Sequence, residues 1–103
     1  MLTELNDTNF DEVIKQGVVV VDFWAAWCGP CRIITPTIEQ LAQEHPEVTF
    51  GKLNVDEYPQ LASRHGVMSI PMLLFFVDGE LKDNSIGAVP KAVIEKKLEL
   101  LQS

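Results

Sequence analysis

Apolar spacings typical of helices alternate along this chain with short β-branched and aromatic runs typical of strands. The runs predict strands at residues 3–5, 18–24, 48–55, 72–77 and 81–86. The spacings predict helices from an Asp7 or Thr8 cap to near Gly17, from about 31 to 45, from 59 to 65, and from Pro90 onward. The predicted order of elements is therefore β-α-β-α-β-α-β-β-α.

This order predicts an α/β fold with a mixed sheet at its centre. Strands that alternate with helices run parallel, because each helix supplies a crossover connection. Asp78-Gly79 lies between the last two strands and is a hairpin signal, which predicts an antiparallel pair. Residues 18–24 are nearly all apolar, as expected of a strand covered on both faces. We therefore expect three α/β/α layers, with five strands, four flanking helices and a kink at Pro36.

Composition and charge narrow the function classes. The 103 residues are 47% hydrophobic and 22% charged, which fits a single globular domain over residues 1–103. A net charge of −7 without a Lys/Arg cluster argues against nucleic acid or an anionic membrane as a partner. Residues 1–10 lack a signal-peptide pattern, and no apolar run reaches the about 18 residues that span a bilayer. We therefore expect a monomer in the cytoplasm, where thiols are kept reduced.

Both cysteines lie together, at Cys28 and Cys31, shortly after the strand at 18–24. In a reducing compartment, this spacing is more typical of thiol–disulfide chemistry or metal binding than of a structural disulfide. A static disulfide and two of the about four ligands of a zinc site remain alternatives, although the histidines are distant in sequence. His45 and His65 end predicted helices, where they are most simply favourable charges or surface residues.

A helix that begins at the cysteine pair predicts different roles for the two sulfurs. Unpaired N–H groups at its N-terminus would stabilise a thiolate on Cys28, the reactive form. Cys28 should face solvent and attack the disulfide of another protein, while Cys31 should be shielded and resolve the mixed disulfide. Gly29-Pro30 should make the ring rigid and so shift the balance between dithiol and disulfide, although this dipeptide is also an ordinary turn sequence.

Asp22 is a carboxylate within a strand that otherwise resembles core. Burial of an isolated charge is costly, so the pKa of Asp22 should rise toward neutrality. Such a group, one strand end away from the cysteines, could accept the proton of Cys31. The alternatives are an exposed acid at a strand end, or an acid neutralised by Lys52 on a neighbouring strand.

Other residues could flank the cysteines. Trp27 precedes Cys28 and is typical of a contact surface or of a half-packed lid, whereas Trp24 within the strand is predicted to be core. From the residues alone, the Ile70-Pro71 bond should be trans; a cis bond would expose the Ile70 backbone to an extended peptide. Gly87 is either a bend or a gap that lets a partner approach.

Several motifs together resemble the thioredoxin family. They occur in order along essentially the whole chain: VDFWAAWCGPC at 21–31, Pro36, KLNVD at 52–56, Ile70-Pro71, Asp78-Gly79 and IGA at 86–88. The WCGPC segment in this setting is highly specific. The resemblance implies the thioredoxin fold and a general dithiol reductant of protein disulfides.

The resemblance also assigns roles to individual positions. It implies a redox disulfide with Cys28 as the nucleophile and Cys31 as the resolving cysteine, and it implies a buried acid at Asp22. Gly29 and Pro30 fall on the dipeptide that tunes the redox potential. A cis bond is implied at Pro71. The implied apolar rim that meets clients consists of Trp27, Ile70, Pro71 and Gly87.

The implied partners are disulfide-containing client proteins and an electron donor. Members of the family bind no cofactor or metal, and a flavin-containing thioredoxin reductase reduces them with electrons from NADPH. Met72 and Ser85 depart from the usual threonine and from a longer side chain, which would alter the groove polarity and the choice of partner. The alternative function is a redox-silent subunit that docks a partner through the same apolar rim.

Overall fold

The computed structural model describes residues 2–102. Its elements are β1 (Thr3–Glu4), α1 (Phe10–Ile14), β2 (Val18–Trp24), α2 (Gly29–Glu44), β3 (Thr49–Asn54), α3 (Pro59–Arg64), β4 (Met72–Val77), β5 (Glu80–Ile86) and α4 (Lys91–Gln102). The predicted types and order are confirmed, and most element ends lie within a residue or two of the predicted ones.

The strands form one mixed sheet in the order β1-β3-β2-β4-β5. β3 runs parallel to both β1 and β2, as expected for strands joined by helical crossovers. β4 is antiparallel to β2 and to β5. Asp78 and Gly79 alone connect β4 to β5, with φ values of 51° and 87°. Positive φ at both loop positions gives the twist that two-residue hairpins need, so the predicted hairpin is confirmed.

Helices cover both faces of the sheet, because side chains along β2 alternate between them. Val19, Val21 and Phe23 lie in a core cluster with residues of α1 and α3. Val20 lies in a second cluster with residues of α2 and α4. The three predicted α/β/α layers are therefore confirmed, and helices cover β2 on both faces of the sheet.

The start of α1 differs from the prediction. Its N-cap is Asn9, not Asp7 or Thr8, and the Asn9 side chain makes no capping hydrogen bond. Instead, Asn6 Oδ1 accepts hydrogen bonds from the backbone N–H groups of Thr8 and Asn9, each at 2.8 Å. This local turn competes with capping and delays the helix start.

α2 also differs from the prediction at its start. The helix begins at Gly29, two residues before the predicted start, and it continues through Pro36 to Glu44. The Thr35 hydroxyl donates a hydrogen bond to the Cys31 carbonyl at 2.8 Å. Pro36 has no backbone N–H group to donate, and the helix continues past it.

His65 is not the helix-end charge that its position suggests. Its ring lies 4.9 Å from the Phe10 ring and 5.8 Å from the Phe76 ring, between centroids. Burial lowers the pKa of His65, and the nearby Arg64 guanidinium lowers it further. The imidazole therefore favours its neutral form, and it packs at the edge of the core. His45 caps α2 and lies 3.4 Å from a Glu47 carboxylate oxygen.

Within residues 2–102, no helix combines the length and the apolar character needed to cross a membrane.

The packing of α4 on the sheet predicts the effect of shortening one of its side chains. Leu98 is completely buried in the cluster beneath α2 and α4, so Leu98→Ala should lower the free energy of unfolding by about 2–5 kcal/mol. Glu99→Ala, next to it on the exposed side of the helix, should change the same quantity by less than about 0.5 kcal/mol. Urea denaturation measures both. Equal losses in the two variants would contradict the described packing of α4.

Candidate active site

The two cysteines form a disulfide at the start of α2. Cys28 is the N-cap, with extended backbone angles, and Cys31 lies in the first turn. Their Cα atoms are 5.3 Å apart. The N–H group of Cys31 donates a hydrogen bond to Cys28 Sγ at 3.2 Å. A helix N-terminus carries a partial positive charge, so this position favours negative charge on the Cys28 sulfur once the disulfide opens.

Exposure does not distinguish the two cysteine residues in this disulfide state. Cys28 is 3% exposed and Cys31 is 2% exposed, so the prediction of a solvent-facing Cys28 is wrong. The two residues form a small cluster with Ala25, against which Val55 and Ile70 pack. Apolar neighbours therefore cover both cysteines. Their difference lies in position along the helix, since the hydrogen bond at the N-cap is made to the Cys28 sulfur alone.

Asp22 lies beneath the start of α2 as a buried acid. It is 3% exposed, and among residues 2–102 no donor reaches its Oδ1 atom. Burial raises its pKa to about 7, although the Lys52 cation acts in the opposite direction. The exposed-acid alternative is therefore wrong. Lys52 lies opposite Asp22 in the parallel register, but its ammonium group is paired with Glu4 at 3.7 Å.

A cavity connects this acid to the inner cysteine. It has a volume of about 320 Å³, and Asp22 and Cys31 both line it. Lys52, Arg32 and Thr35 also line this cavity. The volume is ample for water, which needs polar partners of this kind to be held. The cavity therefore gives the Asp22 carboxyl and the Cys31 side chain one shared space with room for water.

Hydrogen bonds hold the residues that surround the disulfide. Trp27 is 68% exposed, and its indole N–H donates a hydrogen bond to Asp56 Oδ2 at 2.9 Å. The Ile70-Pro71 bond is cis, so the preference for trans drawn from the residues alone is wrong and the family expectation is confirmed. The N–H group of Gly87 donates to the Pro71 carbonyl at 2.8 Å. Gly87 has a φ of 87°, and no described atom lies within 4 Å of the position that a Cβ would occupy there, so it is both a bend and a gap.

An apolar groove of about 260 Å³ begins beside the disulfide. Its lining residues are Trp27, Val55, Ala62, Val67, Met68, Ser69 and Ile70. Only Trp27 and Ile70 were predicted from the sequence as contact residues. The others come from segments far apart along the chain, and no local pattern places them together. Met68 lies two residues before Ile70, and that proximity was the one available signal.

Three further residues differ from their predicted environments. Trp24 is half-buried beside the cysteine cluster and not in the core, and no partner for its indole N–H lies within the described chain. Ser85 is 5% exposed, so its side chain does not meet partners. Met72 is 7% exposed and packs within the core beneath α1 and α3, away from the groove lining.

The zinc interpretation of the cysteine pair gains no further ligands from the fold. Across residues 2–102, the one group of three possible metal-ligating side chains consists of Glu44, His45 and Glu95. It contains neither cysteine. Within the described residues, the fold therefore brings no third metal ligand to the cysteine pair.

Comparison with known proteins connects this geometry to a family. The thioredoxin family model matches residues 1–100. The M-type chloroplastic thioredoxin of Pisum sativum is 50% identical over 98 residues, which are 92% of this chain and 57% of that protein. The thioredoxin of Staphylococcus saprophyticus is 47% identical over 102 residues, which are 94% of this chain and 98% of that protein.

A solved structure agrees with the sequence relatives. Mitochondrial thioredoxin 3 from Saccharomyces cerevisiae, in its oxidised form, superposes with a TM-score of 0.87 at 39% identity and covers 95% of this chain and 93% of that chain. The chain spans only a little over half the length of the plant chloroplast relatives, with 53% to 57% of each covered.

The buried acid predicts a pH-dependent difference in stability. Below the unfolded-state pKa near 4, both states hold the proton and Asp22 has no effect. Between about 4 and 7 the unfolded chain releases the proton first, so stability falls as pH rises, and above 7 the loss is constant at up to about 4 kcal/mol.

Asp22→Asn removes this titration, so the variant should gain stability over the parent progressively from pH 4 to pH 8. Denaturation of both proteins across that range measures the difference. Glu99→Asn, on an exposed helical position, is the control and should track the parent. A parent-to-variant difference that does not change with pH would contradict the raised pKa.

Proposed function

The chain belongs to the thioredoxin family of thiol–disulfide oxidoreductases, and we propose that it is a general reductant of protein disulfides. The observation that supports this most directly is the disulfide-bonded cysteine pair at the N-terminus of α2, with the family match over residues 1–100. A general reductant needs a nucleophilic sulfur, a second sulfur within reach of it and a surface that accepts many clients.

In the proposed reaction, the Cys28 thiolate of the reduced protein attacks one sulfur of a client disulfide. The client's other sulfur leaves as a thiolate and takes a proton, and a mixed disulfide links client and protein. The Cys31 thiolate then attacks Cys28 Sγ and releases the second client thiolate, which is protonated in turn. The client gains two electrons and two protons, and the Cys28–Cys31 disulfide forms again.

The assignment of Cys28 as the attacking sulfur rests on electrostatics. It is the N-cap of a 16-residue helix, and its sulfur accepts a backbone hydrogen bond. Both features stabilise a thiolate more than a thiol. Gly29 and Pro30 occupy the first helical turn, where proline needs no hydrogen-bond partner, and we propose that their rigidity favours the reducing side of the equilibrium.

Asp22 is the proposed acceptor of the Cys31 proton. A base acts best when its pKa is near the working pH, and burial brings that of Asp22 to about 7. The shared cavity provides the route, since both groups line it. In this proposal the acid speeds the resolving step and leaves the first attack nearly unchanged.

Clients are proposed to dock on the rim formed by Trp27, Ile70, Pro71 and Gly87. Trp27 is largely exposed, and its hydrogen bond to Asp56 holds the ring in place. An extended peptide could pair with the backbone beside Ile70 while its neighbouring side chains meet apolar surface. The gap at Gly87 lets the client backbone approach closely.

We further propose a setting for this chemistry. The five strands lie in one sheet, which supports a single thioredoxin domain over residues 1–103, and we propose that this domain acts as a monomer. Electrons would come from NADPH through a flavin-containing thioredoxin reductase, with no cofactor bound to the domain itself. A reducing compartment is required, and we propose the cytoplasm, although relatives are named as chloroplastic and mitochondrial.

The cysteine roles predict opposite outcomes for two serine variants. Cys28→Ser should abolish insulin reduction in an assay with dithiothreitol as electron donor, because no attacking sulfur remains. Cys31→Ser should instead accumulate a covalent complex with insulin, seen as a band on non-reducing gels that reductant removes. Reduction by Cys28→Ser at the parent's rate would contradict the assignment. Partner binding that survives loss of both cysteines, with an inactive parent, would favour the redox-silent subunit.

The electrostatic argument predicts that the two thiols of the reduced protein ionise at different pH. The Cys28 thiol should have a pKa below that of free cysteine, near 8.5, because of the helix N-terminus. Cys31 should ionise above Cys28. Alkylation rates of Cys31→Ser and Cys28→Ser, followed against pH with iodoacetamide, measure each thiol separately. Identical profiles at the value of free cysteine would remove the basis for an attacking and a resolving sulfur.

A further inference from the structure

Met68 is the most exposed large apolar side chain of the described residues, at 95%. It lies in the wall of the apolar groove together with Trp27 and Ile70. The other described methionine, Met72, is 7% exposed within the core. The chain therefore places one thioether fully in solvent and on the surface where a client would lie.

The groove is continuous with the disulfide. Val55 and Ile70 line the groove and also pack against the cluster that contains Cys28 and Cys31. On the proposed function, the side chain beside a client's reacting cysteine therefore enters this groove. With a volume of about 260 Å³, the groove accepts one large apolar side chain. Met68 would cover that side chain from the solvent side, and a flexible thioether suits a surface that meets varied clients.

We propose that Met68 is a hydroperoxide-sensitive modification site that sets the affinity for protein clients. In the reaction, the thioether sulfur attacks the outer oxygen of a hydroperoxide. The S–O bond forms and the O–O bond breaks. The proton of the outer oxygen passes to the leaving oxygen, so the hydroperoxide is reduced to an alcohol or, for hydrogen peroxide, to water. The sulfur is oxidised by two electrons to the sulfoxide. The oxidation of Met68 does not depend on the proposed function. Its effect on client affinity does rest on that function.

The sulfoxide should weaken client docking without altering the cysteines. It replaces an apolar, flexible side chain with a polar one, and a docked client would have to strip water from the new oxygen. A small disulfide that does not enter the groove makes no contact with Met68. The modification therefore separates reduction of proteins from reduction of small molecules.

Two substitutions imitate the two states of the side chain. Met68→Gln has a similar length and a polar amide, as the sulfoxide does, whereas Met68→Leu stays apolar and cannot be oxidised. The pre-reduced proteins would be mixed with insulin and, separately, with hydroxyethyl disulfide, and second-order rate constants measured. For insulin, Met68→Gln should be slower than the parent by about threefold to tenfold, and Met68→Leu should equal the parent. For hydroxyethyl disulfide, all three proteins should react alike.

Chemical oxidation tests the modification itself. The disulfide form, in which both thiols are protected, would be treated with hydrogen peroxide, desalted and then reduced with dithiothreitol. Peptide mass mapping should place an added oxygen atom on Met68 before Met72, because exposure governs access. The treated parent should then lose insulin activity to the level of Met68→Gln, and treated Met68→Leu should keep its activity.

The outcomes separate this inference from the proposed function. If the parent reduces neither substrate, the proposed function itself fails. If the parent reduces insulin and Met68→Gln matches it, Met68 takes no part in docking and the inference is overturned. Oxidation of Met72 ahead of Met68, or equal loss of activity in treated Met68→Leu, would also overturn it.

Discussion

Burial of both faces of β2 is the constraint on which the rest of the site depends. β2 pairs with β3 on one side and with β4 on the other, and helices cover it above and below. A strand in that position carries apolar residues throughout, and Val18–Trp24 does so with the exception of Asp22. Asp22 is only 3% exposed, and its burial raises its pKa toward neutrality. The acid's chemistry is thus a property of the fold around it.

The same strand positions the cysteines. A short loop carries the chain from the end of β2 into α2, and Cys28 becomes the N-cap of that helix. The two cysteine residues are almost equally buried, so their exposure does not assign their roles. The electrostatic field differs between them, because the helix N-terminus acts on Cys28 while the cavity beneath joins Cys31 to Asp22. The start of α2 therefore has Cys28 at the helix N-terminus on one side and a cavity shared with a buried carboxyl on the other.

Features that depend on adjacent residues could be predicted from the sequence. The central strand, the Asp78-Gly79 hairpin and the cysteine spacing each depend on local pattern, and the structure confirms the strand, the hairpin and the disulfide. Features that need distant segments could not be predicted. The aromatic contacts of His65 and the cover over Cys28 involve residues far away in the chain, so helix-end position and loop position were misleading guides. The predicted start of α1 was wrong for a local reason, because Asn6 forms a turn that competes with the expected cap.

Chemistry and recognition are therefore built differently in this fold. The reactive pair occupies four consecutive residues, and substitutions elsewhere leave its spacing intact. The groove beside it is assembled from the loop before α2, the end of β3, the end of α3 and the segment before β4. Such a surface can change one wall at a time while the core that holds Asp22 and the helix start stays fixed. A side chain as exposed as Met68 does not pack in the core. The residue type at this position can therefore vary with the clients that the protein binds, without loss of core packing.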